Sequence, residues 1–495
     1  MTEQTSSSPA NAQSGLAGAP GPGGIRTVDL TQIEDIDADG SSGTSYGLEI
    51  GGRFGGTIGP AGDSDWIAVE LEAGQSYRFV MYGTGGFPTG IEDTILRLMD
   101  DNGQTVALND DLWVDEQNNG FSGIRFTATE SGTYFLNAAG VGTDAGDYVV
   151  QAALDVHTVD QVVTLLTDAY WGAPTAVAHD VGADGALTVN MAGLSADGAA
   201  LAQAALDLWT AYVGIEFSLT TEAGAEIVMD DSSLGAFGGP QSFFPDTGSI
   251  DLGLVNVGQD WLDAYGTTLD SYSFFTYLHE IAHALGLGHA GPYDVTASYA
   301  QDAFFANDSW QMTIMSYFGA ADNTTIGGTD WIPITPMIAD VAAMWALYGP
   351  PDAVEAGNTV WGVGSNIDGT LGRILRYAFG SATNAAEWDG SAMARDIGFT
   401  IVDTGGIDLF DASNFGGAQM VDLRDGAASN VLGEIGNVVI MRGSVIENAR
   451  TGAGDDRLTG NDADNRLTGG RGNDTINGGL GNDTAMIAAT RASAE

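Results

Sequence analysis

Residues 279–289 read HEIAHALGLGH, and few strings constrain a chain more. His279 and His283 stand four apart, so on a helix they share one face and can both reach one ion. Glu280 follows the first of them, where its carboxylate can hold a water bound to that ion. Gly286 lets the backbone leave the helix, and His289 then returns as a third ligand. Three neutral imidazoles leave a zinc ion one open position, as a catalytic site requires. Of the five histidines in 495 residues, three fall in this window. Chance would assemble such a string in on the order of 10⁻⁵ chains of this length. A plain core helix without metal is therefore the weaker reading. His157 and His179 lie outside the string, and no chemistry is expected of them.

Composition narrows the setting. The chain has no Cys, which excludes disulfides and thiolate metal sites. A chain outside the cell then needs another staple, and bound metal is the obvious one. The formal charge is −51, from 66 acidic and 15 basic residues, and no Lys or Arg occurs between Arg125 and Arg373. Such a surface repels nucleic acid and anionic lipid, so neither is an expected partner. It suits a calcium-rich or saline exterior, although simple solubility accounts equally well for most of the charges. No apolar run is long enough to span a membrane. Met1 to Gly24 lacks a charged-then-apolar leader, which leaves the cytoplasm or export without a cleaved N-terminal signal.

The length predicts a multidomain chain. Residues 1–26, rich in Ser, Ala, Gly and Pro, read as disordered. Residues 35–154 carry short alternating segments such as Trp66–Leu71, Tyr77–Met81 and Ile95–Leu98 between Gly/Asn/Asp turns, an all-β sandwich pattern. Residues 155–350 mix helical spacing (Ala199–Val213, Ser271–Leu285, Pro336–Leu347) with strand-like runs such as Glu226–Met229, an α+β domain. Residues 351–495 turn β-rich, and 451–486 divide into nonapeptides: TGAGDDRLT, GNDADNRLT, GGRGNDTIN, GGLGNDTAM. This is the Gly-Gly-x-Gly-x-Asp-x-apolar-x pattern of a parallel β-roll. Each repeat forms a turn and a short strand, with Leu458, Leu467, Ile476 and Ala485 expected to point inward. Gly452, Gly454 and Asp456, then Gly470, Gly472 and Asp474, then Gly479, Gly481 and Asp483 are the expected calcium ligands. The second repeat departs, with Asn461, Ala463 and Asn465 in those places. Ala463 would carry the cost of a left-handed conformation if the turn were kept. A flexible Gly/Asp-rich linker is the alternative for the whole repeat segment.

Two resemblances follow from these strings. GDSDWIAVELEAGQSYRF, DTILRLMDDNGQTVALNDD and SGTYFLNAAG resemble the bacterial pre-peptidase domain. The likeness implies a jelly-roll-like sandwich, whose acidic turns Asp93, Asp100, Asp101, Asp110 and Asp111 are either calcium ligands or solvated turns. The extended zinc string is that of the metzincin metalloproteases. Thr313-Ile314-Met315-Ser316-Tyr317 resembles their Met-turn, and the MSY text resembles the serralysins. TPMIADVAAMWALYG, Thr335 to Gly349, is similar to the helix that closes serralysin catalytic domains. The likeness covers about residues 155–485. It implies Met315 beneath the zinc, Tyr317 as an additional movable zinc ligand, and further calcium ligands at Asp403, Gly405, Asp408 and Asp411. It also implies a type I exporter that reads an uncleaved C-terminal signal, although only Ile487 to Glu495 follow the last repeat.

The function expected is that of a monomeric, secreted zinc endopeptidase that also binds calcium. Glu280 acts as general base, Tyr317 assists the oxyanion, and extended polypeptides lie along a rim at Gly235 to Leu254. A non-catalytic calcium-dependent adhesion module on a protease scaffold is the alternative, but it predicts a broken zinc string. A non-peptidase zinc hydrolase fits the ligands and not the Met-turn.

Overall fold

The computed structural model describes residues 32–487 apart from short internal stretches, the longest being 381–395. The N-terminal segment expected to be disordered, Asp111, and the end of the chain after Ile487 lie outside the described residues. The described residues divide into two compact units: those up to 157 together with 305–307, and the rest. No helix among the described residues is long and apolar enough to cross a membrane.

The first unit is a β-sandwich. One sheet runs in the order Gln32–Ile33, Arg53–Ile58, Gly146–Leu154, Ser76–Gly83, Ser122–Thr127; the other runs Ser64–Leu71, Gly132–Gly140, Thr94–Met99, Thr105–Asn109. All pairings within the sheets are antiparallel except that of the first two strands. Alternation does the work: along Ser64–Leu71, Ile67, Val69 and Leu71 are buried while Trp66, Ala68 and Glu70 lie toward the surface. Phe54, Phe79, Leu96, Leu98, Leu136 and Val150 complete the core. Of the acidic turns, Asp100 accepts hydrogen bonds from Asn102 N and Gln104 N, the local turn-closing role of an Asp.

In the second unit, Ala186–Gly193, Glu216–Leu219, Ile227–Asp230 and Ser249–Val257 form a parallel sheet. Ala236–Phe244 joins it antiparallel to Ser249–Val257 as an edge strand. The rim expected at Gly235 to Leu254 is thus a hairpin, with its first strand outermost. Helix α1 (Ala196–Val213) starts at Ser195, whose side chain accepts from Gly198 N, and ends at Gly214 in the left-handed region, φ 75°. It buries Leu201, Ala205, Leu208, Trp209 and Tyr212, and Trp209 Nε1 donates to the carbonyl of Leu278 on helix α2 (Tyr272–Ala284). Helix α3 (Ile338–Tyr348) is tied back through Trp345 Nε1, which donates to Tyr212 O. Helix α4 (Gly369–Ala378) was not anticipated in a segment read as β-rich, although Leu371, Ile374, Leu375 and Ala378 are buried at helical spacing.

The C-terminal part is a parallel roll. Leu409–Asp411, Asn448–Arg450, Arg466–Gly470 and Thr484–Ile487 stack in one sheet, and Met420–Asp422, Arg457–Thr459 and Thr475–Asn477 in the other. Leu458 pairs with Ile476 and Leu467 with Ala485. Two nonapeptides therefore complete one coil. Gly470, Gly472, Gly479 and Gly481 take φ of 82°, 134°, 91° and 100°. A Cβ at Gly470 would fall 1.9 Å from Gly452 O, one coil back. Leu458 and Leu467 are buried, whereas Ile476 is half-buried and Ala485 exposed, both on the last coil among the described residues and in register with the two buried leucines. Ala463 avoids the left-handed region, since Glu355 and Leu432 alone among the described non-glycine residues have positive φ. Asn461 Oδ1 instead accepts from Ala463 N and reshapes that turn.

Leu467→Ala should therefore destabilise the roll by about 3 kcal/mol, and Ile476→Ala by clearly less. Urea unfolding of both variants checks the order.

Candidate metal centre

Helix α2 is capped by Ser271, whose hydroxyl accepts from Phe274 N at 3.2 Å, and every residue from Ser273 to Ala284 is buried. The helix closes at Leu285. Gly286 follows at φ 111°, where a Cβ would meet Val177 O at 2.2 Å, so the turn to His289 requires glycine. The ligand atoms of His279, His283 and His289 lie within 4.8 Å of one another, and the last two Nε2 atoms are 3.0 Å apart. His279 Nδ1 faces Ile314 O at 2.7 Å and His283 Nδ1 faces Leu287 O at 2.7 Å. His289 Nδ1 faces Tyr293 O at 3.1 Å and Tyr170 Oη at 2.7 Å. Each Nδ1–H thus has an acceptor, which directs each Nε2 lone pair to the common centre. Burial holds His279 down to about 4 and holds His283 and His289 well below the ordinary imidazole value, the neutral state in which imidazole ligates. Burial also pushes the Glu280 carboxyl up to about 8. The donor set fits zinc: three neutral nitrogens that converge, with the carboxylate of Glu280 next to the first of them in the chain.

The edge strand comes directly against this helix. A Cβ at Gly238 would fall 2.4 Å from Glu280 O. Only glycine lets the rim approach the carboxylate-bearing turn so closely.

Met315 is fully buried in the turn that carries the Ile314 carbonyl. The Tyr317 ring lies 4.6 Å from that of His289 and 6.3 Å from that of His279. Tyr293 packs against Tyr317 at 4.9 Å, and its hydroxyl donates to the buried Asp308. The turn is held by a residue the sequence reading passed over. Asp340, fully buried on α3, accepts hydrogen bonds from Thr313 Oγ1, Ile314 N and Met337 N. Burial pushes its carboxyl up to about 7, against those three bonds. The available signal was an acid between apolar neighbours, Ala339 and Val341, on a helix that is otherwise core.

The calcium candidates differ in what surrounds them. Asp456 is buried; one carboxylate oxygen accepts from Gln419 N, and the other makes no hydrogen bond. Asp474 accepts from Asp456 N and Asp483 from Asn465 N, each one coil away. Asp408 has one buried oxygen without a hydrogen bond, and neighbouring Asp403 is pushed by burial up to about 7. Asp411 is engaged by Arg450 at 3.1 Å. In the second repeat, Asn465 Nδ2 donates to Glu447 O one coil back and to Asn461 Oδ1. An amide thus ties together carbonyl oxygens there. His179 is structural, its Nε2 facing Ala284 O at 3.1 Å.

Residues 356–495 match the family model for the C-terminal part of peptidase M10 serralysins, and residues 63–140 match that of the bacterial pre-peptidase C-terminal domain. Serralysin of Photorhabdus laumondii is 34% identical over 282 residues, 53% of this chain and 53% of that protein. Serralysin C of Dickeya chrysanthemi is 39% identical over 197 residues, 38% of this chain and 36% of that one. Metalloprotease AprA of Pseudomonas entomophila is 36% identical over 197 residues, 39% and 37% of the two chains. The chain spans about half the length of the curated relatives it matches, or less. It is similar to serralysin-type metalloproteases and carries a pre-peptidase-like N-terminal domain.

Asp340→Ala strips the acceptor from two buried N–H groups, and should lower stability by about 3 kcal/mol and loosen His279 through Ile314. Asp340→Asn should lose less. Chemical unfolding with parallel zinc retention measures both.

Proposed function

We propose that this chain is a secreted zinc endopeptidase of serralysin type, with a metzincin catalytic domain at residues 155–350. The observation that carries the reading is the convergence of three Nε2 atoms, each backed by its own acceptor, beside a buried glutamate and an open sheet edge. His279, His283 and His289 would hold the ion, with Tyr317, whose ring packs 4.6 Å from that of His289, as an additional ligand. A zinc ion so held supplies a water of pKa roughly 7 and polarises a carbonyl oxygen. Glu280 takes the proton of the attacking water and passes it to the leaving amine as the peptide bond breaks. The Tyr317 hydroxyl donates to the developing oxyanion. An extended polypeptide adds as a further strand against Ala236–Phe244, with Gly238 setting its distance from Glu280.

Calcium would bind the roll through the Gly carbonyls and Asp456, Asp474 and Asp483, with Asp403 and Asp408 forming a further site. The buried oxygens without hydrogen bonds on Asp456 and Asp408 support this, since a buried carboxylate oxygen without a donor calls for a cation. The second repeat is the exception: Asn465 supplies the donors there. Export through a type I exporter fits a roll that orders only in external calcium.

Glu280→Ala should bind one zinc per chain and lose casein hydrolysis by about 10²–10⁴-fold. Full activity in that variant would sink the mechanism. Tyr317→Phe should retain zinc and lose a smaller factor, of order 10². Chelation of calcium alone should reduce the strand signal in the far-UV spectrum. A spectrum indifferent to the chelator would remove calcium from the roll.

A further inference from the structure

Tyr170 and Trp171 lie far from the zinc string in the sequence, 119 residues before His289 and 115 before Gly286. In space they are built into it. Tyr170 Oη is 2.7 Å from His289 Nδ1, nearer than the Tyr293 carbonyl at 3.1 Å. The Tyr170 ring lies nearly parallel to that of His283, 18° at 6.3 Å, and edge-on to that of His289, 80° at 5.3 Å. Trp171 Nε1 donates to Gly286 O at 2.9 Å, and its indole stands edge-on to His283 at 5.6 Å.

Glycines make room for the pair. A Cβ at Gly288 would fall 2.2 Å from Tyr170 Cγ, and a Cβ at Gly239 would fall 2.8 Å from Trp171 Cη2. Gly288 is not one of the spaced positions of the zinc string, so helix exit does not account for it. Core filling does not account for the phenol either, because Phe would present the same ring. What the hydroxyl adds is an oxygen on the outer nitrogen of a candidate metal ligand.

We infer that Tyr170 is a positioning residue for the third zinc ligand, an inference that rests on the zinc reading above. Its phenol oxygen accepts the His289 Nδ1–H, shared with the Tyr293 carbonyl. This fixes the tautomer with Nε2 bare and sets the ring rotation that turns Nε2 to the centre. It also makes Nε2 more basic, as acceptors behind metal-bound imidazoles do. Of the three histidines, His289 most needs this support. It lies beyond the end of α2, whereas His279 and His283 are fixed by the helix itself.

The test is zinc affinity of the full chain, measured by competition with a chromogenic chelator, for wild type, Tyr170→Phe and Trp171→Phe. Circular dichroism checks that each is folded. Tyr170→Phe keeps the ring and should bind zinc 10–100-fold more weakly. Trp171→Phe, which leaves the His289 acceptor in place, should lose less. The cobalt(II)-loaded Tyr170→Phe protein should also show displaced visible absorption bands, which a loss of packing elsewhere would not produce. A folded Tyr170→Phe protein with wild-type zinc affinity and an unchanged cobalt spectrum overturns the inference and leaves the zinc reading standing. Wild-type protein that takes up no zinc overturns both. If Tyr170→Phe does not fold, Gly288→Ala, which pushes the Tyr170 ring off its seat, replaces it with the same two readouts and the same overturning result.

Discussion

The centre depends on where three Nδ1–H groups go. A neutral imidazole ligates through one nitrogen when the other carries the proton, and an acceptor on that N–H fixes which nitrogen it is and how the ring is turned. The acceptors here come from four places: the Met315 turn through Ile314, the helix exit through Leu287, the loop after His289 through Tyr293, and Tyr170. That demand explains much of the architecture around α2. Asp340 on α3 holds the Met315 turn, and the turn holds His279. Asp308 holds Tyr293, which holds His289 and packs on Tyr317. Buried acids therefore serve the candidate metal site without approaching it, each one partner removed from a candidate ligand.

The motif residues were legible in the sequence because they are close in the chain. His279, Glu280, His283 and His289 depend on helical spacing and one glycine turn, which are local physics. The sandwich strands were legible through alternation, and the roll through its period. What could not be read was long-range. Nothing in the text around Tyr170 points to His289, and nothing local links Asp340 to Ile314. Helix α4 was missed for a different reason: its apolar spacing was present, but strands surround it in the sequence.

The acidic composition finds a partial account in the structure. Most of the carboxylates are solvated, as high net charge for solubility would have it. A few are not: Asp340 and Asp308 are buried and fully used by donors, whereas Asp456 and Asp408 are buried with an oxygen that no donor meets. The first kind holds a fold together at any calcium level. The second kind is a cost to the fold unless a cation meets that oxygen. The Asn465 turn belongs with the first kind, because an amide brings its own donors. One rung of the roll is therefore built to close without an ion.

The coil of two nonapeptides has a consequence for how such a roll can change length. Strands of alternate repeats lie on opposite sheets, and each residue rests on the one a full coil earlier, as Asn465 rests on Glu447. Loss or gain of a single repeat would send every later strand to the other face and divorce Asn465 from the carbonyl it holds. Pairs of repeats leave both intact. The heritable unit of this architecture is therefore the doublet, and a roll can grow or shrink smoothly only in steps of whole coils.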